Sequence, residues 1–468
     1  MIESLHEECG VFGIYNHERA AESAFLGLYS LQHRGQESAG IVSTDGERTY
    51  EHKGMGLVAQ VFSEESLRKL KGRNAIGHNR YSTTGQPRVA NVQPLLVDCR
   101  AGKLAMAHNG NIVNARHLRS EMEDSGSIFN TTMDSEVILH LIARSREVEL
   151  EEMIIDAVNR LQGAFSLLLM TTDKLMAIKD PQGLRPLCLG QLGDSIIITS
   201  ESCALDIIGA EYVRDLNPGE LVIVDERGVR SRQAFEDTRQ AKCFFEFIYF
   251  SRPDSRVFGE KVDKIRRRLG RVLARKHPVG ADIVISVPDS SNTSSLGFAQ
   301  ESGIPFELGL IRNHYVGRTF IQPSQTLRDG TVRLKFNTVD GVLNGKRVVV
   351  VDDSIVRGST MKKLVVMIKK AGAKEVHLRI ASPPIKFPCF YGIDMPSLGE
   401  LIASSKTVDE IREYLGVDSL EYLTLDDLRS CVDDPEHFCY ACFSGVYPVP
   451  LSPDLSKSVL ERDPAVKA

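Results

Sequence analysis

One segment restricts the fold of this 468-residue chain more than any other: residues 348–360, which read VVVVDDSIVRGST. Four consecutive valines are typical of a strand that is buried on both faces of a parallel sheet. Such sheets bind ligands beyond the carboxyl ends of their strands, which is where Asp352 and Asp353 fall. The small residues around Gly358 predict the start of a helix whose N–H groups surround a phosphate. The two carboxylates suit sugar hydroxyls and hydrated Mg²⁺, whereas an acidic turn with a serine cap would explain only part of this string.

The rest of the second half repeats the same order of strand, loop and helix. The predicted strands are 283–287, which leads into Pro288-Asp289-Ser290-Ser291 and a helix, 347–351, which precedes a helix to about residue 370, and 376–380. Apolar strands that are each followed by a helix indicate a parallel sheet covered on both faces. We therefore expect an α/β domain here.

The first half has a different pattern, with many short strands and few helices. Two helices are predicted, Ala20–Leu31 and Asp134–Arg146, the second with an apolar face. The polar segment 231–242 interrupts the strand pattern, so we place the domains at 9–231 and 243–468 and expect antiparallel sheet and helix layers in the first. The predicted strands of this half are 11–15, 104–107, 164–170, 175–178, 196–199 and 221–224.

Composition excludes several classes of protein. The formal net charge is −5 and no strongly basic stripe occurs, which argues against nucleic-acid binding. The basic run 264–268 has helical spacing, so we interpret it as a solvated helix face. The leader 1–8 is acidic and lacks the apolar core of a secretory signal, and no apolar run is long enough to span a membrane. These features predict a cytoplasmic protein.

Cys9 stands at the start of an apolar strand, directly behind the acidic leader. If residues 1–8 were removed as a propeptide, Cys9 would carry a nucleophilic thiol and a free α-amine. An α-amine with a pKa of roughly 7.7–8.0 can act as a base near neutral pH. The simpler interpretation of a single cysteine beside a strand is a small buried hydrophobic residue.

Three further polar strings in the first half end in turns. Arg80, in GHNRYSTTG, offers a guanidinium that can bind a carboxylate in a fork. Asn109 and Gly110, in AHNGN, place an amide and a glycine N–H after a strand, where they can form an oxyanion hole. Asp134, in TMDSE, supplies a carboxylate for a substrate ammonium. Each string alone is also compatible with a capped turn.

Together with Cys9-Gly-Val-Phe-Gly and residues 32–40, QHRGQESAG, these strings resemble the glutaminase domain of class II glutamine amidotransferases. The resemblance implies the four-layer αββα fold of N-terminal-nucleophile hydrolases. It also implies that Cys9 attacks the side-chain amide of glutamine while its α-amine transfers the proton. By the same resemblance Arg80 binds the substrate carboxylate, Asp134 binds its ammonium, and Asn109 and Gly110 stabilise the oxyanion.

The string 348–360 resembles the phosphoribosyl-pyrophosphate signature of type I phosphoribosyltransferases. The resemblance implies Mg²⁺ at Ser290, Asp352 and Asp353, and a closing loop at Tyr315–Pro323. Two departures occur, because His314 stands where an arginine is expected and Ser359 where a threonine is usual. The residues implied for phosphoribosyl pyrophosphate are Asp352, Asp353, Ser354, Arg357, Gly358, Ser359 and Thr360.

A glutaminase domain followed by this signature resembles the amidophosphoribosyltransferase family. The resemblance implies that glutamine, water and phosphoribosyl pyrophosphate give 5-phosphoribosylamine, glutamate and pyrophosphate, the committed step of purine synthesis. It also implies feedback inhibition by purine nucleotides and a homotetramer. The alternatives are another class II amidotransferase, whose acceptor would not need a ribosyl-pyrophosphate site, and an inactive nucleotide-binding regulatory relative.

The chain has nine cysteines, an odd number, which argues against a disulfide framework. Cys439 and Cys442 form a C-x-x-C pair, and Cys243 and Cys389 lie in aromatic surroundings. Spacing alone leaves zinc and a [4Fe–4S] cluster equally open, with His437 as an alternative zinc ligand. The four cysteines fall at the ligand positions of the cluster-bearing branch of the family, which also has a cleaved leader, so the resemblance implies a structural [4Fe–4S] cluster. We interpret the remaining thiols outside the nucleophile as ordinary ones: Cys99, Cys188, Cys203 and Cys431.

Overall fold

The structure, a computed structural model, describes residues 9–81, 88–313 and 335–451. The first half forms two antiparallel sheets, one with the order β11-β9-β10-β1-β4-β2-β3 and the other with the order β13-β12-β8-β7-β6-β5. Their strands are β1 (Gly10–Tyr15), β2 (Ser38–Thr44), β3 (Thr49–Met55), β4 (Asn74–Arg80), β5 (Leu95–Cys99), β6 (Gly102–Ile112), β7 (Gly163–Met170), β8 (Leu175–Lys179), β9 (Cys188–Leu192), β10 (Ser195–Thr199), β11 (Glu211–Asp215), β12 (Glu220–Asp225) and β13 (Gly228–Gln233).

The alternation of side chains along β1 shows how the layers pack. Val11 lies in the apolar cluster between the two sheets, together with residues such as Leu168 of β7. Phe12 and Ile14 point to the opposite face, where they pack under the helix Ala20–Ser30. Other helices cover the outer face of the second sheet, so the expected order of helix, sheet, sheet and helix is confirmed.

Both helices predicted in the first half are present, each slightly shorter than predicted. They end where the chain turns back toward a strand or the next helix. The α-helices of this half are Ala20–Ser30, Val58–Val61, Glu64–Lys69, Ala115–Asp124, Ser135–Arg144, Leu150–Val158 and Cys203–Asp206, and Val89–Asn91 is a 3-10 turn.

The second half is built on a parallel sheet with the order β17-β20-β21-β22. The valines of β20 alternate between two cores, with Val349 and Val351 on one face and Val348 and Val350 on the other, which confirms a strand buried on both faces. The strands of this half are β14 (Lys242–Cys243), β15 (Arg256–Val257), β16 (Glu260–Lys261), β17 (Ile283–Ser286), β18 (Leu310–Arg312), β19 (Phe336–Thr338), β20 (Arg347–Asp352), β21 (Glu375–Ile380), β22 (Ser419–Tyr422) and β23 (Phe438–Cys439).

The helices of the second half cover both faces of this sheet. A π-helical turn, Glu246–Phe250, leads into them shortly after the link between the two halves. The α-helices are Val262–Lys276, Asn292–Ser302, Asp340–Leu343, Ser359–Lys370, Ile402–Ser405, Val408–Leu415, Leu425–Arg429 and Ala441–Ser444, with 3-10 turns at Leu398–Glu400 and Pro435–His437.

The link between the halves begins later than the sequence suggests. The predicted boundary at residue 231 falls inside β13, because this strand continues to pair with β12 as far as Gln233. At the other end of the link, β14 pairs in parallel with β23 and sets Cys243 opposite Cys439. Within the three described ranges, no helix has the length and apolar character needed to cross a membrane.

Candidate active sites

The first candidate site surrounds Cys9, immediately before β1. Because β1 pairs with β4 and Gly10 lies opposite Asn79, the register brings Cys9 beside Arg80. The thiol is buried and donates to the carbonyl of Tyr81 at 3.5 Å. Burial raises the pKa of Cys9 to about 11, although the nearby Arg80 acts in the opposite direction. At neutral pH the thiol is therefore protonated and needs a base to become a nucleophile.

Arg80 is held in place by an acidic partner. Its Nη1 lies 2.7 Å from Oε1 of Glu37, and its side chain is only 2% exposed. The charges of Arg80, Glu37 and Asp134 all act on the Cys9 thiol, so these groups share one pocket. A buried guanidinium in this position suits a substrate carboxylate.

Asn109 and Gly110 lie on β6, in the second sheet. Nδ2 of Asn109 is buried and, among the described residues, has no hydrogen-bond partner. Gly110 has a φ of +147°, and a Cβ there would lie 2.0 Å from the carbonyl oxygen of Ala164, so only glycine fits. A buried amide donor without a partner is unusual in a folded protein and fits a site for a transient negative charge.

Asp134 precedes the helix Ser135–Arg144 and is anchored to the same strand. Its Oδ2 accepts from the N–H of Ile112 at 2.8 Å. The two sheets are tied together nearby, since Nε2 of His78 lies 3.0 Å from the carbonyl oxygen of His108. Burial lowers the pKa of His78 to about 3, so this bond is made by a neutral ring. The candidate nucleophile Cys9 on one sheet is thus held against the candidate oxyanion and ammonium groups on the other.

The second candidate site lies at the carboxyl edge of the parallel sheet. Asp352 ends β20, and its Oδ1 accepts from the N–H of Asp353 at 2.9 Å. The carboxylate of Asp353 accepts from the hydroxyl of Ser290 and, at 2.7 Å, from that of Ser354. Burial raises the pKa of both carboxyls, and the charge of Asp353 raises that of Asp352 further. The oxygen donors fit Mg²⁺, which binds one or two carboxylates and completes its shell with water and phosphate.

The predicted phosphate-binding segment adjoins these carboxylates. Gly358 has a φ of +80°, which glycine adopts without strain, and the helix Ser359–Lys370 begins directly after it. Ser359 and Thr360 are half-buried in the first turn of this helix, and the N-terminus of a helix favours the binding of an anion such as phosphate. Nη2 of Arg357 lies 2.7 Å from Oε1 of Glu400.

The four predicted cluster cysteines gather where the link meets the C-terminal segment. Cys243 lies opposite Cys439, and the charges of Cys243, Cys389 and Cys439 all act on the thiol of Cys442. Burial raises the pKa of Cys243 and Cys439 to about 12, while Arg185 lowers both. Across residues 9–81, 88–313 and 335–451, no three His, Cys, Asp or Glu side chains close around a point as ligands of a single ion do.

Comparison with known proteins decides the family. Residues 78–206 match the family model of a glutamine amidotransferase domain. Amidophosphoribosyltransferase from Bacillus subtilis is 50% identical over 97% of this chain and 96% of its own length. The chain belongs to the amidophosphoribosyltransferase family. A second member, from Methanocaldococcus jannaschii, is 48% identical over 94% of this chain and 97% of its own length.

Solved structures of amidophosphoribosyltransferases have the same fold over their full length. The glutamine phosphoribosylpyrophosphate amidotransferase of B. subtilis, complexed with ADP and GMP, superposes with a TM-score of 0.92. It is 49% identical, and the match covers 97% of this chain and 100% of that one. A structure described as the allosteric regulatory enzyme of purine biosynthesis gives a TM-score of 0.93 at 49% identity, covering 97% and 99%.

The structure gathers the predicted residues into three groups: one around Cys9, one around Asp352 and Asp353, and one of four cysteines. The predicted propeptide 1–8, His314 and the predicted closing loop Tyr315–Pro323 lie outside the described residues. Of the four cysteines read as ordinary thiols, Cys99 is half-buried and the other three are buried.

One sequence-based interpretation is wrong. Arg266, within the basic run read as a solvated helix face, is 2% exposed. Its Nε donates to the carbonyl of Phe247 at 2.6 Å, because the carbonyls of the π-helical turn face the helix Val262–Lys276. A signal was present in the sequence: Arg266 lies at helical spacing from the buried residues Val262, Leu269 and Leu273.

Sequence reasoning also missed a group of buried ions behind Cys9. Arg34 lies between the carboxylates of Glu201 and Glu246, and all three side chains are completely buried. Arg34 belongs to the string 32–40 that carries part of the family resemblance, but its partners are distant in sequence, so no local pattern reveals the pairing.

Proposed function

We propose that this chain is a glutamine-dependent amidophosphoribosyltransferase. It converts glutamine, water and phosphoribosyl pyrophosphate into 5-phosphoribosylamine, glutamate and pyrophosphate, the first committed step of purine synthesis. The observation that carries the proposal is the 50% sequence identity with an amidophosphoribosyltransferase over 97% of this chain, a match that spans both candidate sites. An inactive regulatory relative would have no need for a complete set of glutaminase and transferase residues.

Glutamine hydrolysis is assigned to the first site. The Sγ of Cys9 attacks the amide carbon, and the thiol proton passes to the Cys9 α-amine once residues 1–8 have been removed. Nδ2 of Asn109 and the N–H of Gly110 stabilise the oxyanion, while Arg80 and Asp134 bind the carboxylate and ammonium of the substrate. The amine then gives the proton to the departing nitrogen, and ammonia leaves a thioester. Water hydrolyses the thioester to glutamate and restores the thiol.

Ammonia transfer is assigned to the second site. The helix start at Gly358–Thr360 holds the 5-phosphate, and Asp352 and Asp353 bind the ribose side of the substrate. Ammonia attacks C1 of the ribose, the bond from C1 to pyrophosphate breaks, and one proton is released as the amine becomes neutral. Mg²⁺, when bound near Ser290, Asp352 and Asp353, supplies charge neutralisation for the pyrophosphate leaving group.

We also propose that purine nucleotides regulate this chain. The B. subtilis relative was solved with ADP and GMP, which supports purine nucleotides as feedback inhibitors of this chain as well. The homotetramer and the cytoplasmic location stay predictions from the resemblance and the sequence.

A product assay tests the proposed function. Purified protein, with glutamine, phosphoribosyl pyrophosphate and Mg²⁺, is expected to form glutamate, pyrophosphate and 5-phosphoribosylamine in equal amounts. Glutamate release without formation of phosphoribosylamine would indicate that the protein is a glutaminase and not an amidophosphoribosyltransferase. If neither substrate is converted, the alternative of an inactive nucleotide-binding regulatory protein is favoured.

The cysteine group is proposed to hold a [4Fe–4S] cluster. In a cubane each thiolate bonds a different iron, so the four sulfurs lie farther apart than around a single zinc ion. The four thiols lie close enough for their charges to act on one another, which supports a shared metal centre, and the family resemblance favours the cluster over zinc. The fully buried Arg185 offers positive charge to thiolates in this position. The cluster would fasten the C-terminal segment to the link between the domains.

Metal analysis of protein purified without oxygen tests this assignment. We expect about four iron and four acid-labile sulfide per chain, because a [4Fe–4S] cube has that composition. Cys442→Ser is expected to lose most of both, whereas Cys431→Ser, which changes a buried thiol outside the group, keeps them. Zinc in place of iron, or an equal loss in both variants, would contradict the cluster.

A further inference from the structure

A continuous series of buried polar contacts joins the two candidate sites. It begins at Cys9, whose carbonyl oxygen accepts from Nε of Arg34 at 3.3 Å. Nη2 of Arg34 lies 2.7 Å from Oε1 of Glu246, and Nη1 lies 3.0 Å from Oε2. The nucleophile's main chain is therefore held by a guanidinium that forms a fork with a carboxylate of the other domain.

The series continues from Glu246 through Ser251 to Arg266. The hydroxyl of Ser251 donates to Oε2 of Glu246 at 2.6 Å. The carbonyl oxygen of Ser251 accepts from Nη2 of Arg266 at 2.8 Å. Arg266 also donates to the carbonyls of Phe247 and Tyr249, so its guanidinium fixes the π-helical turn that carries Glu246.

The last steps reach the transferase carboxylates. Nη1 of Arg266 donates to the carbonyl oxygen of Ser290 at 3.4 Å. The hydroxyl of Ser290 donates to Oδ2 of Asp353. Each member of the series between Cys9 and Ser290 is at most 2% exposed, so bulk water does not screen these contacts.

We infer that Arg34, Glu246, Ser251 and Arg266 are positioning residues that couple substrate binding at Asp353 to the placement of Cys9. The inference rests on the proposed function, because it needs a phosphoribosyl substrate at one end and glutamine at the other. A substrate that contacts Asp353 changes the contact between Asp353 and Ser290, and each following contact transmits the shift to the carbonyl of Cys9. Such coupling between sites is reciprocal for binding.

Geometry offers a matched pair of variants for the test. Arg34 has a second carboxylate partner, Glu201, which accepts from the hydroxyl of Ser255 at 2.6 Å. Ser251 and Ser255 are therefore alike: each is 1% exposed, and each donates at the same distance to a buried glutamate that pairs with Arg34. Only Ser251 lies on the route to Asp353. A serine-to-alanine change leaves both buried ion pairs intact, whereas removing one buried charge would endanger the fold.

The measured quantity is the ratio of glutamate release with and without saturating phosphoribosyl pyrophosphate and Mg²⁺. We expect Ser251→Ala to lower this ratio about threefold to tenfold relative to the unchanged protein, as is typical for residues that modulate coupling. Its glutamate release without phosphoribosyl pyrophosphate, and its synthesis of phosphoribosylamine from added ammonium, stay unchanged. Ser255→Ala keeps the ratio of the unchanged protein.

A ratio for Ser251→Ala equal to that of the unchanged protein, or an equal fall in both variants, would overturn the inference. A reciprocal binding measurement gives a second check, since a glutamine analogue bound at Cys9 should tighten phosphoribosyl pyrophosphate binding less in Ser251→Ala than in Ser255→Ala. If the unchanged protein forms phosphoribosylamine from glutamine but shows no stimulation, the inference is likewise overturned, whereas a protein that forms no phosphoribosylamine from either nitrogen source contradicts the proposed function.

Discussion

Cys9→Ala is expected to abolish glutamate release from glutamine, with a fall of at least about 10³-fold, because the thiol proposed to attack the amide is removed. The same variant should still form phosphoribosylamine from a high concentration of ammonium, since the transferase carboxylates lie in the other domain. Both activities are measured on the same preparation, together with the unfolding midpoint.

Cys188→Ala is the control for the loss of a buried thiol. Cys188 lies on β9, in the same sheet as the strand that follows Cys9, and is 1% exposed. We expect it to keep both activities. Loss of ammonium-dependent synthesis in a folded Cys9→Ala protein would contradict the assignment of two separate sites. The intact mass of active enzyme adds a check on the propeptide, since active protein that retains residues 1–8 would contradict the role of a free α-amine.

Asp352→Asn is expected to lower phosphoribosylamine synthesis by about 10²-fold to 10³-fold with either glutamine or ammonium as the nitrogen source. The carboxylate contacts the substrate's ribose and metal in the proposed mechanism, and an amide offers neither the charge nor both acceptor oxygens. Glutamate release in the absence of phosphoribosyl pyrophosphate should persist. The fold should not weaken, because burial and the charge of Asp353 both oppose ionisation of the Asp352 carboxyl, and the change replaces this carboxyl by a neutral amide.

Asp282→Asn provides the matched control, at the opposite edge of the same sheet. Asp282 pairs with Arg347 at 2.9 Å and is partly exposed, so its loss should cost little stability and no activity. Equal loss of synthesis in Asp282→Asn and Asp352→Asn would show that a general effect on the sheet, rather than the site, is responsible.

The parts of the fold that the sequence predicts are those with a local signal. The four valines of β20 alternate between two cores, and the predicted strand, turn and helix that follow are all present. The six strands predicted in the first half from short apolar runs are present; five extend by one or two residues and β6 by seven, because pairing with a neighbouring strand adds residues of low strand propensity.

The features that could not be predicted depend on long-range contacts. The contact between Arg34 and Glu246 joins residues far apart in sequence, and only the packed domains bring them together. Arg266 was interpreted as a surface residue because it stands among other basic residues, although its helical spacing matches the buried side. The amide Nδ2 of Asn109, which has no hydrogen-bond partner in the part of the chain that the structure describes, is likewise visible only once the second sheet has buried it.

The measurement that tests the central claim most directly follows the nitrogen atom. Glutamine labelled with ¹⁵N in its side-chain amide is incubated with the protein, phosphoribosyl pyrophosphate and Mg²⁺, without added ammonium. The account predicts that the amine on C1 of the trapped 5-phosphoribosylamine carries ¹⁵N, and that Cys9→Ala forms no labelled product. Label that appears only as free ammonium, with no nitrogen transferred to the ribose, would contradict the account.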